Sequence, residues 1–316
     1  MKSQGTVSAD SPPLPTGTTD SALPLRFRML RLVGKQTWIP RGQEWLLRQI
    51  CHPDKRWNYP FVVDFFGMKY PGNLSQLVDW RVFAYGCHAS SELTVMDALC
   101  KEMRKKKPQI TCYDVGANLG HHTLFLAGKA DRVIAFEPFP ALQEKIRQKM
   151  TLNGFDHVQI VPFGLGETDE ELKYYPGGGG NSGTGTFLPE EEGTYNPSIE
   201  IGVRNGDRLF NDLGLPPIDL MKVDVEGFEP FVFRGLAGRI HRDRPIILTE
   251  MSDRSRKSFG SEAGFRKAFC ESTVFAEVTG RSGCPYQLHP FRYETAAEIL
   301  ILPPEWAYFL EGKLQH

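Results

Sequence analysis

The chain has 316 residues, of which 41% are hydrophobic and 24% charged, and its formal net charge is −1. That size fits one large domain or one domain with an appendage, and the composition is that of a soluble globular protein with a real core. The near-neutral balance gives no argument for a nucleic-acid partner, and no apolar run approaches the roughly 20 residues of a membrane span.

Residues 1–24 are rich in Ser, Thr, Pro and Gly and read as a disordered tail. MKSQGTVSADSPPLPTG has no apolar h-region, so no secretory leader is expected and the cytoplasm is the expected compartment. The six cysteines form no CxxC pair, which argues against a zinc knuckle and for reduced thiols. Residues 25–57 mix Arg with Trp, Leu and Phe. An amphipathic basic helix pair of this kind could meet a membrane surface or an anionic partner, but capping of the main domain is the favoured reading. The stretch 61–85 is expected to be β structure around a PGN turn, and a helix over about 91–107 to be capped by Ser90 or Ser91 and ended by Pro108.

From 110 onward short apolar runs alternate with helical segments. ITCYDVG, RVIAFEP, VQIVPFG, DLMKVDV and RPIILTE predict βαβ units, hence a doubly wound, mostly parallel α/β sheet covered on both faces. The runs TVFAEVTG and AEILILPP, after a helix near 262–272, predict an antiparallel terminal pair. The glycine-dense stretch 176–197 interrupts the pattern and is read as a surface loop, either a tolerated insertion or a lid. The expected organisation is a tail at 1–24, an N-terminal helical/β cap on the substrate side at 25–108, and the α/β domain at 109–316.

Open parallel sheets bind ligands at the carboxyl ends of their strands. Tyr113–Thr123 reads YDVGANLGHHT: Asp114 ends a strand, Gly116 and Gly120 permit a tight turn, and a helix starts near His121. Glu137 ends the next strand, 21 positions after Gly116, where a carboxylate can accept both ribose hydroxyls of a nucleoside. The dehydrogenase fingerprint is not met, because Asn118 stands at the middle-glycine place and Asp114 would repel a pyrophosphate. An acid beside the loop suits a cation, and S-adenosylmethionine carries an ammonium and a sulfonium. Asp224, Glu226 and Glu250 stand at further strand ends, where each would meet a cation, a donor or a metal, with helix capping as the plainer role for Asp224 and Glu226. Among the histidines His88 is the preferred base, while His121 and His122 start the motif helix.

DVGANLGHHTLFLA, FEPFP, VPFGLGE, IDLMKVDVEGFEPFVFRG and RPIILTE together resemble the FkbM-type methyltransferases, with KYPGNLSQLVDWRVFAYG resembling their lead-in. The resemblance implies a Rossmann-like class I fold with a seven-stranded sheet, S-adenosylmethionine as cofactor, and O-methylation of a hydroxyl on a sugar, polyketide or other natural product. It implies a cofactor loop of Asp114, Gly116, Asn118 and Gly120, a ribose carboxylate at Glu137, and an adenine flanked by Phe163 and Gly164. Tyr85, Thr123 and Pro138 join the cofactor set, and Asp224 and Glu226 would sit near the transferred methyl, with Asp224, Glu226 or His88 as base. CHASSE at 87–92 departs from the aromatic and acid that often follow YG in the family. Asp224 and Glu250 also resemble the Mg²⁺ ligands of catechol-type O-methyltransferases, but a third ligand is not evident, and a metal-free site is expected. The expected partner is a small-molecule or glycan acceptor. An N-methyltransferase of a small amine and a nucleoside-binding module without catalysis are the alternatives.

Overall fold

The structure, a computed structural model, describes residues 23–36, 42–174, 199–280 and 286–315. The tail expected over 1–24 lies almost wholly outside these residues, and the loop expected over 176–197 lies entirely outside them. Among the described residues no helix is long and apolar enough to cross a membrane.

The organising layer is an eight-stranded sheet. Five strands are parallel: β3 (Thr111–Val115), β4 (Arg132–Phe136), β5 (Val158–Val161), β9 (Leu220–Val223) and β10 (Ile246–Met251), in spatial order β5-β4-β3-β9-β10. β3 and β9 are buried almost throughout, which is why they read as mostly apolar, with Asp114 and Lys222 as their charged residues. β13 (Ala297–Leu302), β11 (Val274–Thr279) and β12 (Gln287–Pro290) then extend the sheet antiparallel beyond β10. The expected seven strands are therefore eight, and the expected antiparallel pair is a triple. β12 has four residues and one buried apolar side chain, Leu288, too little alternation to announce a strand.

VQIVPFG is also not one strand. Pro162 has no N–H to continue the ladder, so β5 stops at Val161, and Gly164–Gly166 (β6) enters a separate small sheet with β7 (Glu170–Tyr174) and β8 (Ile199–Asn205). After β5 the chain crosses to the other side of β3. The switch point thus falls between β3 and β9, where a ligand crevice is expected.

Two apolar layers cover the sheet. Leu220, Leu248, Val133 and Cys112 face α4 (Ser90–Arg104), α5 (His121–Ala127) and α6 (Pro140–Asn153). Met221, Ile247, Ile134 and Tyr113 face α7 (Gly206–Asp212), α8 (Glu229–Gly235) and α9 (Ala237–Asp243). Helix α4 begins after Ala89, whose φ of 51° is left-handed, and neither Ser90 nor Ser91 caps it. It ends at Arg104 rather than at 107. The helix expected over 262–272 is shorter too, Glu262–Arg266.

The cap consists of α1 (Leu25–Gly34), α2 (Gln43–Ile50), the hairpin β1 (Pro60–Phe65) and β2 (Met68–Asn73), and α3 (Leu77–Tyr85). Gly34 lets α1 touch α3, since a Cβ there would lie 2.1 Å from the Ala84 carbonyl oxygen. The Gln43 amide donates to the Val33, Gly34 and Gln36 carbonyls, satisfying the end of α1. Buried Asp79 accepts from the Tyr70 hydroxyl and the Asn73 N–H, and the Trp80 indole donates to the Cys51 carbonyl.

Candidate active site

Three loops at the strand ends are laced together. The Gly116 and Ala117 N–H groups both donate to the Phe136 carbonyl, and the Asp224 N–H donates to that of Val115. Gly116 has a φ of 84°, and a Cβ on it would stand 2.0 Å from the Asp224 carbonyl oxygen, so glycine is required on two counts. Glu137 accepts from the Asn118 N–H at 2.7 Å through one oxygen and from the Phe139 N–H at 2.8 Å through the other.

A cleft opens over these loops, with about 930 Å³ of empty space, its mouth included. Of the residues singled out from the sequence, His88, Gly116, Asn118, Glu137, Pro138, Gly164, Asp224 and Glu226 line it. The others do not. Asp114 is buried beneath the loop, where its carboxylate accepts from the Thr123 hydroxyl at 2.5 Å, so both support the loop from below. Gly120 turns the chain into α5 against Ile146. Phe163 lies under the Arg204 guanidinium at 4.7 Å, and Tyr85 packs edge-on against Trp80 and borders a different hollow. His121, His122, Tyr174 and Phe228 complete the picture from positions given no cleft role by the sequence.

The lining holds three carboxylates and no Lys or Arg. Burial, reinforced by Asp224, Glu250 and Glu229, pushes Glu226 up to about 8. Burial likewise raises Glu137 to about 8, against the two backbone donors that favour its ionised form. Glu250, just behind, is raised to about 7 by burial and by Asp224. A cation entering the cleft would therefore be met by carboxyl groups poised to lose protons. The Asn118 side-chain oxygen is buried with no hydrogen-bond partner among the described residues, a place for a ligand donor.

Behind the carboxylates lies a buried ionic cluster. The Lys222 ammonium, fully buried in the middle of β9, stands 3.1 Å from Glu92, 3.2 Å from Glu298 and 3.6 Å from Asp224. Burial opposes charge on Glu92, but Lys222 and His122 outweigh it and hold that carboxyl well below its usual range. Glu298 goes the other way: burial and Glu92 raise it well above the carboxylate range. Glu92 is the last residue of CHASSE, so the departure at 87–92 still delivers an acid, one helical turn into α4. Nothing in the local sequence signalled its pairing with a lysine in a strand, because the contact joins distant segments.

The His88 tautomer follows from its partner. The His88 Nδ1 lies 3.3 Å from the Arg81 guanidinium, which can only donate, so Nδ1 accepts and neutral His88 carries its proton on Nε2. Burial, and then Arg81, pushes His88 down to about 4, so it is neutral at pH 7. The His88 backbone N–H donates to His121 Nε2 at 3.4 Å, and burial holds His121 neutral as well. His122 Nε2 stands 3.2 Å from the Glu92 carboxylate, within ion-pair reach but without hydrogen-bond geometry, so this contact does not fix its tautomer.

Asp224, Glu229 and Glu250 each bring a carboxylate oxygen within 4.8 Å of the others, supplying the third acid that the sequence did not reveal. Glu229 is already committed: it accepts from the Val225 and Gly227 N–H groups and from the Ser255 hydroxyl. Asp224 faces the Lys222 ammonium, which repels a metal. These residues do not fit a Mg²⁺ site, and no step is derived through one.

The sequence pattern of the FkbM methyltransferase domain matches residues 114–276, just over half of the chain. Methyltransferase 1 of Beauveria bassiana is 34% identical, over 53% of this chain and 73% of its own length. The AMB antimetabolite synthetase AmbE of Pseudomonas aeruginosa is 28% identical over 66% of this chain, but the chain spans only 12% of that protein's length. The hexuronic acid methyltransferase AglP of Haloferax volcanii is 29% identical over 43% of this chain, which covers 54% of it.

Proposed function

The chain belongs to the FkbM methyltransferase family, and from that premise we propose that it uses S-adenosylmethionine to methylate a hydroxyl of a sugar, polyketide or other natural product. The observation that carries this reading is the cleft at the switch point, lined by Glu137, Asp224 and Glu226 and by no Lys or Arg. A phosphate-bearing dinucleotide would find no counter-charge there, whereas a cationic nucleoside would find three carboxyl groups, the raised ones able to give up their protons to it. One relative is named a hexuronic acid methyltransferase, which supports a sugar-type acceptor.

Glu137 and Asn118 would hold the nucleoside end of the cofactor, and Asp224 and Glu226 its charged end. Bound there, the cofactor supplies a methyl group activated on a sulfonium. The chain must then align an acceptor oxygen with it and remove a proton, and positioning alone can be worth on the order of 7–11 kcal/mol. Two histidines divide the labour. His88 presents an N–H and serves to orient the acceptor oxygen by donating to it. His122, on the cleft and beside the Glu92 carboxylate, is the base in this reading. Lys222 and Glu92 act as positioning residues for His122. Asp224 and Glu226 are the other candidate bases, and they lie on the same cleft.

Calorimetry with S-adenosylmethionine, S-adenosylhomocysteine and NAD, followed by product analysis over hydroxyl and amine acceptors, tests the reading. Binding of the first two without NAD, and an O-methyl product, is expected. Cofactor binding without any product would make the chain a nucleoside-binding module. An N-methyl product would favour the second reading, in which the same carboxylates hold a small ammonium acceptor.

A further inference from the structure

Helix α1 is apolar on two opposite sides. At ~100° per residue its buried residues Phe27, Leu30 and Gly34 share one arc of roughly 60° that faces the core. Leu25, Met29 and Leu32 share another arc of similar width on the opposite side, and they are 70%, 46% and 58% exposed. Trp45, on the neighbouring helix α2, is 66% exposed. Capping the domain requires only the first arc. The second is an apolar stripe turned away from the protein, of the kind that marks an interaction surface.

Its charge says what it meets. α1 carries Arg26, Arg28 and Arg31 and no acid, in a chain whose net charge is −1. Arg26 flanks the outer stripe on one side, over the Trp57 ring at 4.7 Å, and Arg28 flanks it on the other. Beyond Arg31 the basic and apolar character continues into a hollow lined by Arg31, Lys35, Phe66 and Tyr85, with Asp64 its one acid. Long cationic side chains beside exposed apolar ones can keep their charge at headgroup level while the apolar groups enter the acyl boundary.

We infer that the outer face of α1 docks the protein onto an anionic lipid surface. The helix lies in the interface plane and does not span it. This is independent of the methyl-transfer reading.

The test is co-sedimentation of the full chain with phosphatidylcholine vesicles with and without phosphatidylglycerol, at low and physiological salt. Binding to the anionic vesicles only is expected, weakening as salt rises. The variant L25S/M29S/L32S should lose roughly tenfold or more of it, and R26Q/R28Q about fivefold per charge removed. Leu25→Ser alone, at the most exposed position, gives the same direction should the triple variant fold poorly. An unaltered circular dichroism melt and unaltered cofactor binding separate a docking defect from a folding one. Equal sedimentation of wild type and triple variant overturns the inference. So does a wild-type dimer that L25S/M29S/L32S converts to monomer without any vesicle binding, which would make the stripe a protein interface.

Discussion

Single atoms decide the chemistry available to this cleft. Glu226 stands near 8, above its ordinary range, so at neutral pH it holds its proton in the absence of ligand. A bound cation favours the carboxylate, so binding should expel about one proton at pH 7. Affinity for S-adenosylmethionine is then expected to rise with pH through the window from about 7 to above 8. Calorimetry in buffers of different ionisation enthalpy measures the proton count, and Glu226→Gln should lower it, leaving the share released by Glu137, which burial raises to about the same value. His88 titrates in the opposite sense. Its pKa near 4 lies below the unfolded value of 6.5, so the unfolded chain binds more protons between these limits. Its contribution to stability is complete above 6.5 and is lost as pH falls toward 4; a His88→Asn variant should show a flatter acid limb in urea melts. On rate, His122→Asn should lower kcat by ~10²–10⁴ if its imidazole takes the proton, with cofactor affinity retained. Glu92→Gln should lower kcat less and alter its pH profile, as fits a residue that acts through the imidazole. Turnover should survive EDTA, and a loss restored by Mg²⁺ would make Asp224 and Glu250 ligands after all.

At the level of elements, the site is held by strands and helices that meet only in the folded chain. Lys222 on β9 joins α4 through Glu92 and β13 through Glu298, 76 positions away. Lys222→Met would strand buried Glu92 without its cation, and an uncompensated buried charge costs about 3–5 kcal/mol. Adding Glu92→Gln to that variant should recover part of the loss, and a double-mutant cycle in urea should return a coupling energy of ~1 kcal/mol or more. Near-additive losses would mean that the two groups do not depend on each other. This network marks the limit of what the sequence discloses. β3, β4 and β9 were legible because strands buried on both faces are mostly apolar, and the loop from Gly116 was legible because its glycines and the acid at Glu137 have a fixed spacing. The partners of Lys222 on α4 and β13 left no trace around it in the sequence, because they come from other elements. β12 was too short to alternate, Ala89 caps α4 without a side-chain signature, and Tyr85 turned to the cap because Trp80 holds it there. The role of His88 depends on which nitrogen meets Arg81, a property of geometry alone.

Across the whole molecule, cap and sheet are one body in packing terms. Phe27, Leu30, Phe61 and Trp80 of the cap share a single buried cluster with Cys112, Val133 and Leu220 of the sheet. Organisation into a segment at 25–108 and another at 109–316 therefore describes the order of the chain, and we propose that the two unfold together. Trp45, Trp57 and Trp80 lie in the cap but Trp306 follows β13, so in a Trp306→Phe background tryptophan emission reports the cap side, whereas the sheet dominates the β signal in far-ultraviolet circular dichroism. Their urea transitions should coincide, as two-state unfolding requires. Cofactor adds a stricter check. S-adenosylhomocysteine at about 100 times its Kd stabilises the folded state by ~2.7 kcal/mol, and each kcal/mol moves Tm by about 2–4 °C at this scale of chain. The cleft is lined by His88 and Val78 from the cap side as well as by the strand-end loops, so ligand should shift both probes by the same amount. A tryptophan transition that stays in place while the dichroism moves would mean that the cap melts by itself, and that the shared cluster is weaker than its burial implies.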